Sequence, residues 1–289
     1  MSEPGTGSTI ASRFAALSGT TRGAIHMIGA AAAFAVMMTI VRYASRDMHP
    51  FEVAFFRNLF GLGFMLPWIV RVGRESMTTR RLGMHLLRSL LGLAAMLTFF
   101  TALSLLPLAE VTALTFTTPL FTTIGAALIL RETVRARRWT ATAIGLVGAL
   151  IILRPGVDAL RLEALIALAA AALMAGAFLS VKSLSRTEHP NTIVLLMGLL
   201  MTPMSLVPAL FVWTMPDPGI WVWLVALGLS ATVGQVFLTR AFAAADASAV
   251  LPFDFSRLVF VAILGYLVFG ERPDIWTWVG AGVIVAASA

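Results

Sequence analysis

Apolar segments of about 20 residues recur along the chain, and each is long enough to cross the hydrocarbon core of a membrane as an α-helix. The chain is 59% hydrophobic and only 12% charged, unlike any soluble domain of this length. Ten spans are predicted, at residues 23–43, 50–70, 83–105, 108–130, 137–153, 160–182, 190–213, 219–241, 247–269 and 273–289. The sequence therefore predicts an all-α membrane protein with ten transmembrane helices.

The segments outside these spans are short. The connections leave no room for a soluble catalytic or nucleotide-binding domain. Residues 1–22 are rich in Ser, Thr and Gly, and we expect them to form a disordered cytoplasmic tail. A cleaved signal peptide is the alternative for this end. The apolar stretch at 24–41 is long for the apolar region of a signal, which favours a first spanning helix.

A stretch of the first half occurs again in the second half. Residues 41–50, with the pattern Ser-Arg-x-x-His-Pro at their end, reappear as residues 181–190. Near the end of each half, a Glu is followed seven residues later by a Trp, at Glu132 and Trp139 and again at Glu271 and Trp278. The duplication predicts two repeats of five helices, at 23–153 and 160–289. Because five is odd, the repeats must cross the membrane in opposite directions, which is the usual basis of alternating access.

The basic residues are unevenly distributed between the two sides of the predicted bundle. Thirteen Lys and Arg residues lie in the tail and the even-numbered connections, against five in the odd-numbered connections. We expect the chain to lie in the cell inner membrane, and this asymmetry predicts that both termini are in the cytoplasm. It also accounts for the net charge of +7 without a nucleic-acid partner. There is no cysteine, which excludes disulfides, thiolate metal sites and cysteine catalysis.

Short motifs near the helix ends resemble the EamA type of the drug/metabolite transporter superfamily. The residues that carry the resemblance are Phe56-Arg57, Ala102-Leu103, Pro119, Leu130-Arg131-Glu132, Trp139, Gly148, Ala241-Phe242, Phe269-Gly270-Glu271, Trp278 and Gly280. The chain departs from the family pattern at Leu258, where a proline matching Pro119 is usual. It departs again where Arg131-Glu132 replaces Gly-Glu.

This resemblance implies a secondary transporter that exports small organic metabolites. Amino acids, aromatic or otherwise neutral, are the leading expectation, with the aromatic amino acid exporters as the expected subgroup. The alternative is an importer of a cofactor or nucleoside-type metabolite, or a multidrug exporter. The expected partners are a small-molecule substrate, the lipid bilayer and protons as a candidate coupling ion. No cofactor, metal site or enzyme motif is expected, since the sequence has no phosphate-binding loop and no metal-binding His-Glu-x-x-His.

Two ionisable residues fall near the middle of the ninth span. Arg257 lies near the membrane midplane, and Asp254 lies three residues earlier on the same helical face, so the two are expected to pair. Two interpretations stay open. The pair is either a self-neutralising structural element or a part of the pathway, where Arg257 binds a carboxylate and Asp254 binds an amine or carries a coupling proton.

Three further polar residues are candidates for the substrate site. Arg57 lies roughly 10 Å below the outer end of the second span and is followed by Asn58; Gln235 lies in the eighth. An ion pair between Arg57 and Glu110 is the structural alternative. Arg88 and His85 lie near the inner end of the third span and are expected to snorkel towards the water there. A satisfied histidine inside the bundle is the favoured interpretation of His26.

Prolines interrupt several of the predicted spans. Pro119 and Pro252 lie in the fourth and ninth spans, which are equivalent in the two repeats, and they are candidate hinges. Pro203 and Pro208 lie in the seventh. Kinks without a mechanistic role remain the alternative, because proline is common in membrane helices.

Overall fold

The computed structural model describes residues 17–72, 78–105, 114–115, 117–131, 135–153, 162–270 and 275–288. These residues form ten helical segments that match the predicted spans in order. They are α1 (Gly19–Ala44), α2 (Pro50–Val72), α3 (Leu82–Leu105), α4 (Thr118–Leu128), α5 (Ala136–Leu153), α6 (Leu162–Leu184), α7 (Pro190–Leu210), α8 (Trp221–Ala244), α9 (Ala247–Phe269) and α10 (Ile275–Ser288). Within the described ranges, six helices are long and apolar enough to span a membrane by themselves.

Helix α1 begins earlier than the sequence predicts. Its first residue is Gly19, and the Ser18 hydroxyl accepts a hydrogen bond from the Thr21 N–H at 3.2 Å. Such a cap satisfies one of the free N–H groups of the first turn. Residues 19–22, predicted as part of the disordered tail, therefore belong to the helix; residues 1–16 lie outside the described residues.

Helix α9 changes course part-way along, and α4 begins at a comparable place in the first repeat. In α9, α-helical residues Ala247–Val250 lead into a 3-10 turn at Leu251–Phe255, and the α-helix resumes at Ser256. In α4, the helix begins at Thr118, just after a turn at Thr117. Pro119 and Pro252 each occupy the second position of a helical segment, where a missing N–H costs no internal hydrogen bond. Pro203 and Pro208 lie inside α7.

The duplicated turns have the same hydrogen bonds in both repeats. His49 Nδ1 accepts from the Phe51 N–H, and His189 Nδ1 accepts from the Asn191 N–H, both at 3.2 Å. In each repeat a proline at position 50 or 190 then begins the next helix. The repeated His-Pro pattern thus specifies the same tight turn twice.

Each helix of one repeat packs mainly on the other repeat. Helix α1 contacts α8 and, in the mirrored arrangement, α6 contacts α3; the equivalent helices α2 and α7 contact each other, as do α5 and α10. Along the α2–α7 contact, Asn58 bonds to Ser205, Leu62 touches Gly198, and Met65 packs with Val194. Residue numbers rise on one helix as they fall on the other. Equivalent helices therefore run antiparallel, as an inverted repeat requires.

Small residues bring the helices of the two repeats close together. At Gly228 of α8, an added Cβ would lie 2.3 Å from Phe60 Cβ and 2.8 Å from the Gly61 nitrogen. The Thr232 hydroxyl donates to the Gly61 carbonyl at 3.1 Å across the same contact. Close backbone approach and interhelical hydrogen bonds are the usual stabilising contacts between helices in a membrane.

Candidate functional site

A small cavity lies between α2, α7 and α8, where the two repeats meet. Its polar lining residues are Arg57, Asn58, Thr232 and Gln235, and its walls are Gly61, Leu62, Val194, Met197, Gly198 and Ala231. Three of the five predicted substrate-site residues therefore line one cavity. The cavity volume is about 10 Å³, enough for roughly one water molecule. The helices must move apart before a metabolite fits.

Arg57 fixes the orientation of its neighbour in the cavity wall. The Arg57 Nη1 donates to Asn58 Oδ1 at 2.9 Å, and its Nε contacts Met37 Sδ at 3.4 Å. Because a guanidinium has no acceptor, the amide oxygen of Asn58 must face it. The amide nitrogen then donates to Ser205 Oγ at 3.1 Å, and Ser205 donates to the Thr202 carbonyl at 3.0 Å. The Asn58 amide is thereby held inside the protein.

Arg88 lies inside the bundle rather than snorkelling to the inner surface, as the sequence predicted. It is only 5% exposed, and its Nη2 donates to Gln235 Oε1 at 3.2 Å while Nη1 contacts Met201 Sδ at 3.6 Å. The side chain runs along α3 towards Gly92, where α6 and α7 pack on the helix and Gln235 of α8 accepts its hydrogen bond. A signal in the sequence was available: Arg88 is the one basic residue within the apolar run of the third span.

The site carries positive charge that the described residues do not neutralise. Within the described ranges, neither Arg57 nor Arg88 has a carboxylate within ion-pair distance. Both belong to one site, because Arg57 lines the cavity and Arg88 bonds to Gln235, which lines it as well. Buried charge without a partner is costly in a membrane. Glu110, the predicted partner of Arg57, lies outside the described residues.

The predicted ion pair of α9 forms, but outside this cavity. Arg257 Nη2 donates to Asp254 Oδ2 at 2.8 Å; the Asp254 side chain is 6% exposed and that of Arg257 is 20% exposed. Asp254 lies in the 3-10 turn of α9, which packs on α1 and α5, with Phe255 against Gly145. Neither residue of the pair lines the cavity between α2, α7 and α8.

A second polar cluster joins the repeats at the end of the bundle predicted to be cytoplasmic. His85, predicted to snorkel, is instead fully buried and pairs with Glu188, which also accepts from Thr79. Arg81 donates at 2.8 Å both to the Ser183 carbonyl and to Ser183 Oγ. We call this set the inner closure; its members are Thr79, Arg81, His85, Ser183, Thr187 and Glu188.

The opposite end has a different contact at the equivalent turn. Glu52 is fully buried, and its Oε1 accepts from the Thr214 N–H at 2.6 Å. Its Oε2 accepts from the His49 N–H at 3.1 Å and from Thr214 Oγ1 at the same distance. We call Glu52, His49 and Thr214 the outer closure. Each closure joins a duplicated turn of one repeat to a segment of the other repeat.

Antiparallel repeats, broken helices and a polar cavity at their interface define a class of protein, the multi-pass membrane carriers built on inverted repeats. Within the described ranges, no three His, Cys, Asp or Glu residues are grouped as a metal site would need. The particular family follows from the sequence. The chain belongs to the EamA-like transporter family, whose model matches residues 21–154 and 161–289, so it is a transporter and not an enzyme.

Several characterised relatives align along almost the whole chain. A riboflavin transporter of Vibrio cholerae is 38% identical over 273 residues, covering 93% of this chain and 92% of that protein. An S-adenosylmethionine uptake transporter of Rickettsia prowazekii is 32% identical and covers 86% of this chain and 84% of its own. A pseudopaline exporter of Pseudomonas aeruginosa is 30% identical, with 92% and 94% covered.

A solved protein structure has the same fold. It superposes with a TM-score of 0.78 over 93% of this chain and 96% of its own, at 18% sequence identity. The relatives correct one expectation from the sequence: they place the chain beside riboflavin and S-adenosylmethionine transporters rather than beside aromatic amino acid exporters.

Proposed function

We propose that this chain imports a cofactor-type metabolite, with riboflavin as the leading candidate, across the inner membrane by alternating access. The observation that carries the proposal is the cavity between α2, α7 and α8. Its polar lining residues are Arg57, Asn58, Thr232 and Gln235, and its other walls are apolar side chains and glycine backbone. A site with a few convergent polar groups and apolar walls suits a flat heteroaromatic ring.

Riboflavin fits this chemistry. Its ring system is apolar on both faces and carries carbonyl oxygens and ring nitrogens at one edge, which accept hydrogen bonds from guanidinium and amide N–H groups. Three riboflavin transporters, at 38%, 35% and 34% identity, are similar to this chain over more than nine-tenths of its length. Amino acid export has no comparable support.

The other predicted site residues take supporting roles in this proposal. Asp254, buried at the break in α9, is placed to carry a coupling proton, with Arg257 as its charge partner. Pro119 lies at the start of α4 and Pro252 lies in the 3-10 turn of α9, and in this proposal a change in backbone angle at these residues opens one side of the bundle. The substrate then meets the cavity from the outer side and leaves after the inner closure separates.

The test is uptake of labelled riboflavin by proteoliposomes that contain the purified chain. We expect time-dependent, saturable uptake that excess unlabelled riboflavin abolishes and excess tryptophan does not. An inward proton gradient is expected to raise the rate. Saturable accumulation of tryptophan or S-adenosylmethionine in place of riboflavin would refute the proposal.

A matched pair of variants ties the uptake to the cavity. Arg57→Lys keeps the charge but loses the forked donor geometry that serves Asn58 and a ligand together. It is expected to raise the KM for riboflavin at least about tenfold, the effect of roughly one strong hydrogen bond. Arg135→Gln removes an exposed guanidinium outside the cavity and is expected to leave KM unchanged. Equal KM values for both variants and the parent would place the substrate elsewhere.

A further inference from the structure

The cavity contains two amide side chains whose orientation is not free. Asn58 and Gln235 each have one face that donates and one that accepts. Arg57 faces Asn58 and Arg88 faces Gln235, and a guanidinium can only donate. Each amide must therefore turn its oxygen to its arginine. The reverse orientation would set the N–H groups of each amide against the N–H groups of its arginine.

The two amides then differ in what remains for a ligand. The Asn58 nitrogen is used by Ser205 at 3.1 Å, so this amide is satisfied within the protein. No hydrogen bond of the Gln235 amide nitrogen occurs among the described residues, although Gln235 lines the cavity. Its two N–H groups are thus the free polar groups on the α8 side of the cavity. On the α2 side, Arg57 lines the same cavity.

Arg88 itself does not line the cavity, and its own contacts do not account for burying a charged side chain there. It is 5% exposed, its Nε is buried without a hydrogen-bond partner among the described residues, and its partner Gln235 lines the same cavity as Arg57. Its Nη1 has only the thioether of Met201. The well-formed hydrogen bond of this side chain is the one to Gln235.

We propose that Arg88 is a positioning residue that holds Gln235 so that the cavity offers N–H donors and selects the acceptor-rich edge of its ligand. This inference rests on the cavity being the substrate site, as in the proposed function. It deepens that function by naming the recognised chemistry: carbonyl oxygens, ring nitrogens or a carboxylate. It excludes ligands that would present an ammonium or sulfonium group here, because two guanidinium charges and the Gln235 N–H groups repel a cation.

The role of Gln235 is tested by a near-isosteric change. Gln235→Glu keeps the acceptor for Arg88 and replaces the free N–H₂ by a carboxylate oxygen. The resulting ion pair with Arg88 is expected to keep the protein folded, so a loss of binding cannot be assigned to unfolding. We expect the Kd for riboflavin, measured by quenching of its fluorescence with purified protein, to rise at least about tenfold at an unchanged or higher Tm.

The role of Arg88 is tested by a double-mutant cycle. If Arg88 acts only through Gln235, Arg88→Leu weakens riboflavin binding about tenfold in the parental chain but less than about twofold in the Gln235→Leu background. A merely structural Arg88 would weaken binding equally in both backgrounds, and that result would overturn the proposal. Parental affinity in Gln235→Glu would overturn it as well, even if Arg88→Leu cannot be purified.

The same measurements separate this inference from the riboflavin assignment. A parental protein that binds tryptophan or S-adenosylmethionine but not riboflavin refutes the assignment. The inference then still requires Gln235→Glu to weaken that ligand, because the carboxylate each carries is the acceptor. If Gln235→Glu instead tightens S-adenosylmethionine binding, the cavity faces the cationic end and the inference is wrong.

Discussion

Individual charged residues inside this bundle follow two distinct arrangements. Arg57 and Arg88 have no carboxylate partner in the described part of the chain. Each instead contacts one amide oxygen and one thioether: Arg57 contacts Asn58 and Met37, and Arg88 contacts Gln235 and Met201. Asp254 and Arg257 neutralise one another within a single helix. The first arrangement leaves donors and positive charge for a ligand. In the second arrangement the two charges neutralise each other, so we expect the loss of one of them to affect stability before it affects transport.

Breaking the pair in α9 tests that distinction. Arg257→Ala leaves the buried Asp254 carboxylate without its partner and is expected to cost about 3 kcal/mol, seen as a fall of several degrees in Tm in detergent. The double variant Asp254→Asn/Arg257→Gln removes both charges and is expected to recover most of that loss. If Arg257→Ala melts at the parental temperature, the pair contributes nothing to stability. If the Arg257→Ala protein that remains folded transports at a reduced rate, Arg257 serves transport directly.

At the scale of elements, the closeness of α2 and α8 depends on glycine. Gly228→Ala would place a Cβ 2.3 Å from Phe60 Cβ and 2.8 Å from a backbone nitrogen, so the two helices must separate. We expect Tm to fall by several degrees and the Thr232 contact to Gly61 to weaken. Gly63→Ala in α2 is the control, since nothing lies within 4 Å of its Cβ position. Equal melting temperatures for the two variants would contradict a tight α2–α8 contact.

The two closures also differ as elements, and their separation is measurable. Glu188→Gln removes the charge that pairs with His85, so the inner closure should open more often. The chain has no native cysteine, so Ser89→Cys, at a fully buried position one turn beyond His85, gives a single reporter. Maleimide labelling in detergent is expected to be several-fold faster in Glu188→Gln.

The matched control for this experiment is Glu52→Gln in the outer closure. It removes a charge at the opposite end of the molecule and should leave labelling at position 89 unchanged or slower, because an opening at one end favours closure at the other. If both substitutions accelerate labelling alike, the closures do not gate opposite ends.

For the whole molecule, the sequence predicted the order of helices well because the length of an apolar segment is set by the bilayer itself. The inverted arrangement followed from an odd number of spans and a repeated His-Pro turn. Part of the candidate site could be predicted. Arg57, Asn58 and Gln235 were singled out because polar groups are rare inside spans, and α2 and α8 bring them to one cavity; their role in binding stays a prediction.

What the sequence missed depends on contacts between distant segments. Arg88 lies near a helix end, and the packing of α6 and α7 on α3, with Gln235 of α8 as its hydrogen-bond partner, holds it inside the bundle. Likewise, Arg257 and Gln235 are both near mid-span, yet Arg257 does not line the cavity, because the helix Ser256–Phe269 that carries it packs mainly on α1. The neighbours on which a helix packs are not recorded in a single sequence.

The orientation of the whole molecule in the membrane is the last prediction. The excess of thirteen over five basic residues places both termini and the inner closure in the cytoplasm. Of those thirteen, Arg81, Lys182 and Arg240 lie in or beside helices at one end of the bundle. Lys182 is buried there and donates to the carbonyls of Phe242 and Ala245. Removing its charge should therefore disturb packing more than topology.

Reporter fusions provide the measurement. A reporter active only in the cytoplasm, fused after residue 289 or inserted in the connection at 73–77, is expected to be active. One inserted at 46–48, in the duplicated turn at the other end, is expected to be silent, while an export-dependent reporter there is active. Replacing four exposed inner arginines in the first repeat by Gln is expected to give a mixed orientation, because the second repeat has only a weak bias of its own. A cytoplasmic signal at 46–48 in the parental chain would reverse the assignment of both closures and of the direction proposed for transport.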